Sequence, residues 1–151
     1  MNFSIDIEDD NWNQIPDLED VARKAVAAAL GDANVEVNIL FTDDLAIAKL
    51  NKDWRGKASP TNVLSFPVDD FLVPAGEAKP LGDIVLAYGV VSREAAEQGK
   101  TLPQHAIHLM IHGALHLLGH DHEADADAQA MEALEIDILK GLGFPDPYER
   151  D

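Results

Sequence analysis

His112, His116 and His122 stand in the run His112-Gly113-Ala114-Leu115-His116-Leu117-Leu118-Gly119-His120-Asp121-His122. Two imidazoles four residues apart on a helix project from one face, near enough to share a single ion. Gly119 suits a left-handed helix end, which turns the chain and brings His122 back to the same spot. Three neutral nitrogens suit one zinc or another first-row divalent ion per chain and leave a coordination position open. An open position admits water, which zinc makes nucleophilic near neutral pH. The run reads as a catalytic metal site with His112, His116 and His122 as ligands.

A lone helical histidine is ordinarily a core or surface residue; three around a helix-ending glycine are not. The spacing H-x-x-x-H-x-x-G-x-x-H is similar to that of the metzincin peptidases, with one departure. Their general-base glutamate would fall at Gly113, which has no side chain. Without that carboxylate a peptidase lacks its usual means of taking a proton from water. The metal scaffold is present and the peptidase chemistry is not.

Those ligands need a body to hold them. At 151 residues the chain fits a single domain, residues 1–151, and its 46% apolar content supports a real hydrophobic core. The absence of cysteine excludes disulfides and thiolate ligands, and a reducing cytoplasm is the expected home. The N-terminal segment is acidic where a secretory signal would be basic. The longest apolar or glycine run, Ile84 to Val91, is too short to span a bilayer, so no membrane association is expected.

A net charge of −17 argues against indiscriminate binding of nucleic acid. The charge is uneven, however: residues 1–20 and 121–151 supply 17 of the 28 acids. Lys49, Lys52, Arg55 and Lys57 concentrate four of the eleven bases in nine residues, offset only by Asp53. This segment is either a local cationic patch or a solvated helix end, where cations are favoured anyway.

Alternation predicts strands at Asn2–Ile7 (Phe3, Ile5, Ile7) and Val35–Phe41. Compact apolar runs predict buried strands at Val63–Phe66 and Ile84–Ala87. Asp17 is expected to cap a helix to Leu30 with Val21, Ala25, Ala28 and Ala29 on its apolar face, and Asp43 one to Trp54. Ser92 is expected to cap a helix to Gln98. Thr101-Leu102-Pro103-Gln104 is a capping box opening the histidine helix, which buries Ile107, Met110, Ile111, Ala114, Leu115 and Leu118. A last helix, Asp125 to Leu142, presents Ala130, Met131, Leu134, Ile138 and Leu142 to the core. The fold class is α+β: a small mixed sheet of about four strands with about five helices packed on it.

The histidine run resembles the signature of the YbeY family of bacterial rRNA maturation factors. Two further blocks match: Leu50-Asn51-Lys52-Asp53-Trp54-Arg55-Gly56-Lys57 continuing to Pro60-Thr61-Asn62-Val63-Leu64-Ser65-Phe66-Pro67, and Leu81-Gly82-Asp83-Ile84. The resemblance runs from about residue 45 to 142. It implies a single-strand-specific, metal-dependent endoribonuclease acting in rRNA maturation, including 16S rRNA 3′-end processing, and in ribosome quality control. It implies the ligand set His112, His116 and His122, with a functional arginine at Arg55 in a cleft beside the metal. The implied partners are precursor rRNA and the ribosome, with small-subunit ribosomal proteins or assembly GTPases. One departure is His120, where that signature usually has tyrosine; it adds a competing ligand.

Phosphodiester cleavage needs a nucleophile, help for the leaving oxygen and cations on the phosphoryl oxygens. Arg55 can grip a phosphate through two parallel N–H bonds, while Lys52 and Lys57 track the backbone. Trp54 either stacks a base or, the expected outcome, anchors its short helix in the core. Asp121 either orients a ligand imidazole or bonds its own turn. His108 is expected to support the site without ligating, His105 to lie on the helix surface, Ser65 to pack within its strand, and Asp83 to begin one. No general base stands beside the histidines in sequence. Either a metal-bound hydroxide or the RNA 2′-hydroxyl would be the nucleophile. Two other functions stay open: a zincin-like hydrolase of another substrate, and a ribosome-associated binding module with a structural metal.

Overall fold

The computed structural model describes residues 2–31, 33–68, 77–120 and 124–148. Among these, four strands form one mixed sheet in the order β1-β2-β4-β3. They are β1 (Asn2–Ile7), β2 (Val35–Thr42), β3 (Val63–Pro67) and β4 (Lys79–Ala87). β1 and β4 flank β2 in parallel, and β3 closes the far edge antiparallel to β4. The helices are α1 (Leu18–Leu30), α2 (Asp44–Arg55), α3 (Tyr88–Glu97), α4 (Leu102–Leu117) and α5 (Asp125–Gly141). This is the expected α+β architecture.

Alternation along the strands sorts the helices onto two faces. Val37, Ile39, Phe41, Ile84 and Leu86 point to the main core, where they meet Ala22 and Val26 of α1, Met110, Ile111 and Ala114 of α4, and Met131 and Leu139 of α5. Leu64, Val85 and Ala87 point the other way, onto Ile47 of α2. α4 therefore lies against one face of the sheet and α2 against the opposite one. Trp12, in a short 3-10 turn over Asp10–Gln14, is fully buried against Phe41 and donates its indole N–H to the Thr42 carbonyl at 2.9 Å.

Local capping signals are realised where the partner is a near neighbour. The Asp43 side chain accepts from the Ala46 amide at 2.8 Å, and Thr101 with Gln104 forms the full capping box. Asp17 departs from expectation. It adopts φ 54°, makes no side-chain cap bond, and gives α1 only its carbonyl, to Val21. A side-chain cap needs extended backbone at that position, which a left-handed residue does not have. The buried stripe of α1 is accordingly Leu18, Ala22, Ala25, Val26 and Leu30, and Ala28 faces solvent.

α3 also begins earlier than Ser92, because β4 runs straight into it at Tyr88. Its first turn is capped by a residue of another helix: Asp44 Oδ1 accepts from the Val90 amide at 3.0 Å, and Oδ2 pairs with Arg93. Gly89 makes this possible, since a Cβ there would collide with the Asp44 carboxylate. On α5 the buried positions are Met131, Glu135 and Leu139, while Leu134 and Leu142 are exposed; Leu118, after α4, is exposed too.

Candidate active site

α4 carries His105, His108, His112 and His116 at spacings of three and four, so all four rings share one face. The last two converge most closely, with ring centroids 4.6 Å apart and their Nε2 atoms separated by 3.0 Å. Two nitrogens each about 2.1 Å from a tetrahedral zinc lie about 3.4 Å apart. The observed pair needs only a small adjustment to reach that spacing. Their donor chemistry therefore fits a shared first-row ion.

α4 stops at Leu117, and Gly119 takes a left-handed φ of +100°. The following amide, His120, returns a bond to the Leu115 carbonyl at 3.1 Å, so the chain turns back along the helix as expected. His120 itself is exposed. Asp121 and His122 lie outside the described residues. The described residues bring two of the three expected ligands together, and among them no group of three metal-binding side chains occurs.

Behind His112 stands a residue the sequence reading missed. Glu135 of α5 is completely buried, and its Oε2 lies 3.0 Å from His112 Nδ1. Its Oε1 accepts from the Tyr148 hydroxyl at 2.5 Å and lies 2.5 Å from His108 Nε2. Burial alone would raise this carboxyl, but hydrogen bonds from His108, His112 and Tyr148 outweigh it and hold the pKa at about 2. The same contacts push the Tyr148 hydroxyl up, through its burial first and then the Glu135 carboxylate. One signal did exist in the sequence. Glu135 occupies the middle of the Met131, Glu135, Leu139 row, where a helix packing on a core should carry an apolar residue.

His108 is buried against Glu135, and His105 does not lie on the surface. It is 3% exposed, with Nε2 2.9 Å from Glu94 Oε1 of α3. Burial lowers its pKa against the opposing pull of Glu94. These histidines line a groove of about 1180 Å³ whose walls include Glu94, Lys100, His105, His108, His112 and Tyr148. Lys100 ties down the C-terminal wall through a 2.7 Å bond from Nζ to the Pro147 carbonyl.

The basic segment closes α2. Lys52 and Arg55 occupy its last turn, next to the negative end of the helix dipole, and Gly56 (φ 72°) terminates it. Buried Asn51 donates to the Ser59 carbonyl at 2.9 Å and pins the following loop. Lys52, Arg55 and Lys57 are exposed, and Arg55 is not among the residues lining the groove. Trp54 is 71% exposed instead of buried, its ring resting on Phe66 of β3 at 5.6 Å. The apolar face of α2 is filled by Ile47 and Leu50. The neighbouring Ser65 donates its hydroxyl to the Gly113 carbonyl at 3.0 Å, so β3 links the end of α2 to the histidine helix. Asp83 lies within β4, where it accepts from the Asn38 amide at 2.7 Å.

Comparison with known proteins supplies the remaining finding. A family model described as Endoribonuclease YbeY matches residues 4–143. Relatives named Endoribonuclease YbeY include one from Bradyrhizobium sp., 48% identical over 92% of this chain and 87% of its own length. Another, from Chelativorans sp., is 45% identical over 97% of this chain and 93% of its own. A third, from Bradyrhizobium diazoefficiens, is 50% identical over 92% and 80%. The solution structure of TM1509 from Thermotoga maritima is similar throughout, with a TM-score of 0.56 and 25% identity over 98% of this chain and 99% of that one.

Proposed function

The chain belongs to the YbeY endoribonuclease family, hydrolases of phosphodiester bonds, and from that premise we propose that it cleaves single-stranded RNA where His112 and His116 meet. The observation that carries this reading is the 3.0 Å approach of their two Nε2 atoms, with His112 held from behind by buried Glu135. His112, His116 and His122 would hold one zinc or another first-row divalent ion. Such an ion, when bound, supplies Lewis acidity to a phosphoryl oxygen and to a water.

The chain's own groups do the rest. Arg55 grips a phosphate of the strand through its planar fork, and Lys52 and Lys57 follow the backbone on either side. Trp54, exposed beside these cations, offers a face on which an unpaired base can stack. A paired base is already stacked and cannot use it, which favours single strands. The chain as a whole carries a net charge of −17 and repels RNA, so attraction is focused on this segment. The substrate we propose is precursor rRNA, cleaved during 16S rRNA 3′-end maturation and ribosome quality control in the cytoplasm. Small-subunit ribosomal proteins or assembly GTPases are the proposed protein partners. Among the described residues no helix is long and apolar enough to cross a membrane.

Purified protein, metal-loaded and chelator-treated, should be offered single-stranded RNA, duplex RNA and casein. The expected result is endonucleolytic cleavage of the single strand that disappears with chelator, and intact casein. Casein hydrolysis would instead establish a zincin-like hydrolase. Tight RNA binding without cleavage by the loaded protein would establish a binding module with a structural metal.

A further inference from the structure

Glu135 presents an ionised carboxylate, which accepts hydrogen bonds and has none to give. Each of its three partners must therefore donate. His112 carries its proton on Nδ1, 3.0 Å from Oε2; His108 carries its own on Nε2, 2.5 Å from Oε1; and the Tyr148 hydroxyl donates to that same Oε1. With its Nδ1 turned to Oε2, His112 points its Nε2 at His116 Nε2, 3.0 Å away.

We propose that Glu135 is a positioning residue that fixes the His112 tautomer, with His108 and Tyr148 holding the carboxylate in place for that task. The inference rests on the metal reading above and assigns the buried half of the site a purpose. A histidine that ligates through Nε2 needs that atom unprotonated and its ring held in one orientation. Glu135 provides both from a helix 23 residues away in sequence.

Glu135→Gln tests the idea at the level of one proton. An amide replaces one acceptor oxygen with an NH2 donor, and that donor must face either the His108 side or the His112 side. Among the described residues His108 Nδ1 is buried without a hydrogen-bond partner. Turning the donor toward His108 would force a proton onto that atom, an unsatisfied buried N–H. His112 is the partner that gives way. Its Nδ1 then accepts, and its proton moves to Nε2, the atom needed by the ion.

Ring nitrogen NMR shifts of the metal-free proteins should show His112 as the Nδ1–H form in wild type and the Nε2–H form in Glu135→Gln. Zinc affinity, measured by competition with a chromophoric chelator, should fall roughly 10–100-fold in the variant. Tyr148→Phe removes one donor but leaves the Oε2 to His112 bond, so it should keep the wild-type tautomer and an affinity close to wild type. Circular dichroism checks folding; should Glu135→Gln fail to fold, the wild-type and Tyr148→Phe spectra still decide. An Nε2–H His112 in wild type overturns the proposal, as does a Glu135→Gln protein with unchanged tautomer and affinity. Wild-type protein that shows the Nδ1–H form yet takes up no zinc supports the tautomer assignment and sinks the metal reading instead.

Discussion

The Ser65 hydroxyl donates to the Gly113 carbonyl at 3.0 Å and ties the histidine helix to the edge strand β3. A Cβ on Gly113 would come within 2.9 Å of Ile84 Cγ2 and 3.1 Å of Ser65 Oγ. The position at which metzincins carry their glutamate is thus filled by the sheet. In an ordinary helix interior, glycine to alanine gains about 1 kcal/mol. Here overpacking against a fully buried, β-branched neighbour costs about 1–3 kcal/mol and wins. Gly113→Ala should lower stability by on the order of 1 kcal/mol in urea unfolding; a more stable variant would show that the sheet yields at this point.

Metal binding should be stoichiometric, about one ion per chain, and His112→Ala, His116→Ala and His122→Ala should each abolish it. Retention in His122→Ala with loss in His120→Ala would identify the wrong third ligand. His105→Ala should keep the ion yet cost on the order of 2 kcal/mol of stability, because it empties a buried site and leaves Glu94 Oε1 with Asn62 but without the imidazole. Metal analysis alongside thermal unfolding separates the two effects.

Arg55→Ala should leave metal content unchanged, because guanidinium is not a ligand. It should slow single-turnover RNA cleavage by an amount equivalent to about 2–4 kcal/mol. Arg55→Lys should restore only part of the rate, since a point charge lacks the fork geometry. Trp54→Ala should weaken single-stranded RNA binding by about 1–3 kcal/mol while leaving the fold intact. RNA affinity of the wild type should fall steeply with salt. Equal rates for wild type and both arginine variants would remove Arg55 from the mechanism.

Glu135 carries an acid-stability signature. Its pKa is about 2 in the fold against an ordinary 4.5. A depressed carboxyl stabilises the native state fully above the ordinary value, and that contribution drains away as pH falls through the folded one. The window from about 4.5 to about 2 should therefore cost on the order of 3 kcal/mol. Glu135→Gln, though less stable at neutral pH, should show a flatter profile across that window in urea titrations. Parallel profiles for the two proteins would show that the carboxylate gains nothing from its three donors.

The sequence by itself determined those features whose physics is local. A four-residue spacing places His112 and His116 on one face, whatever the helix packs against. Thr101 reaches Gln104 and Asp43 reaches Ala46 because the bond spans one turn, and Gly119 reverses the chain because it alone lacks a Cβ there. Strand alternation likewise gave β1 and β2. Tertiary structure decided what depends on partners far along the chain. Glu135 meets His112, Glu94 meets His105, and Asp44 caps α3 from another helix, at separations of 23, 11 and 46 residues. Nothing in the flanking residues marks such partners, since each is chosen by how helices come to rest on the sheet. The same holds for the exposure of Trp54 and the rotated faces of α1 and α5. Hydropathy tells which residues prefer burial, and only packing of a finite core decides which of them obtain it.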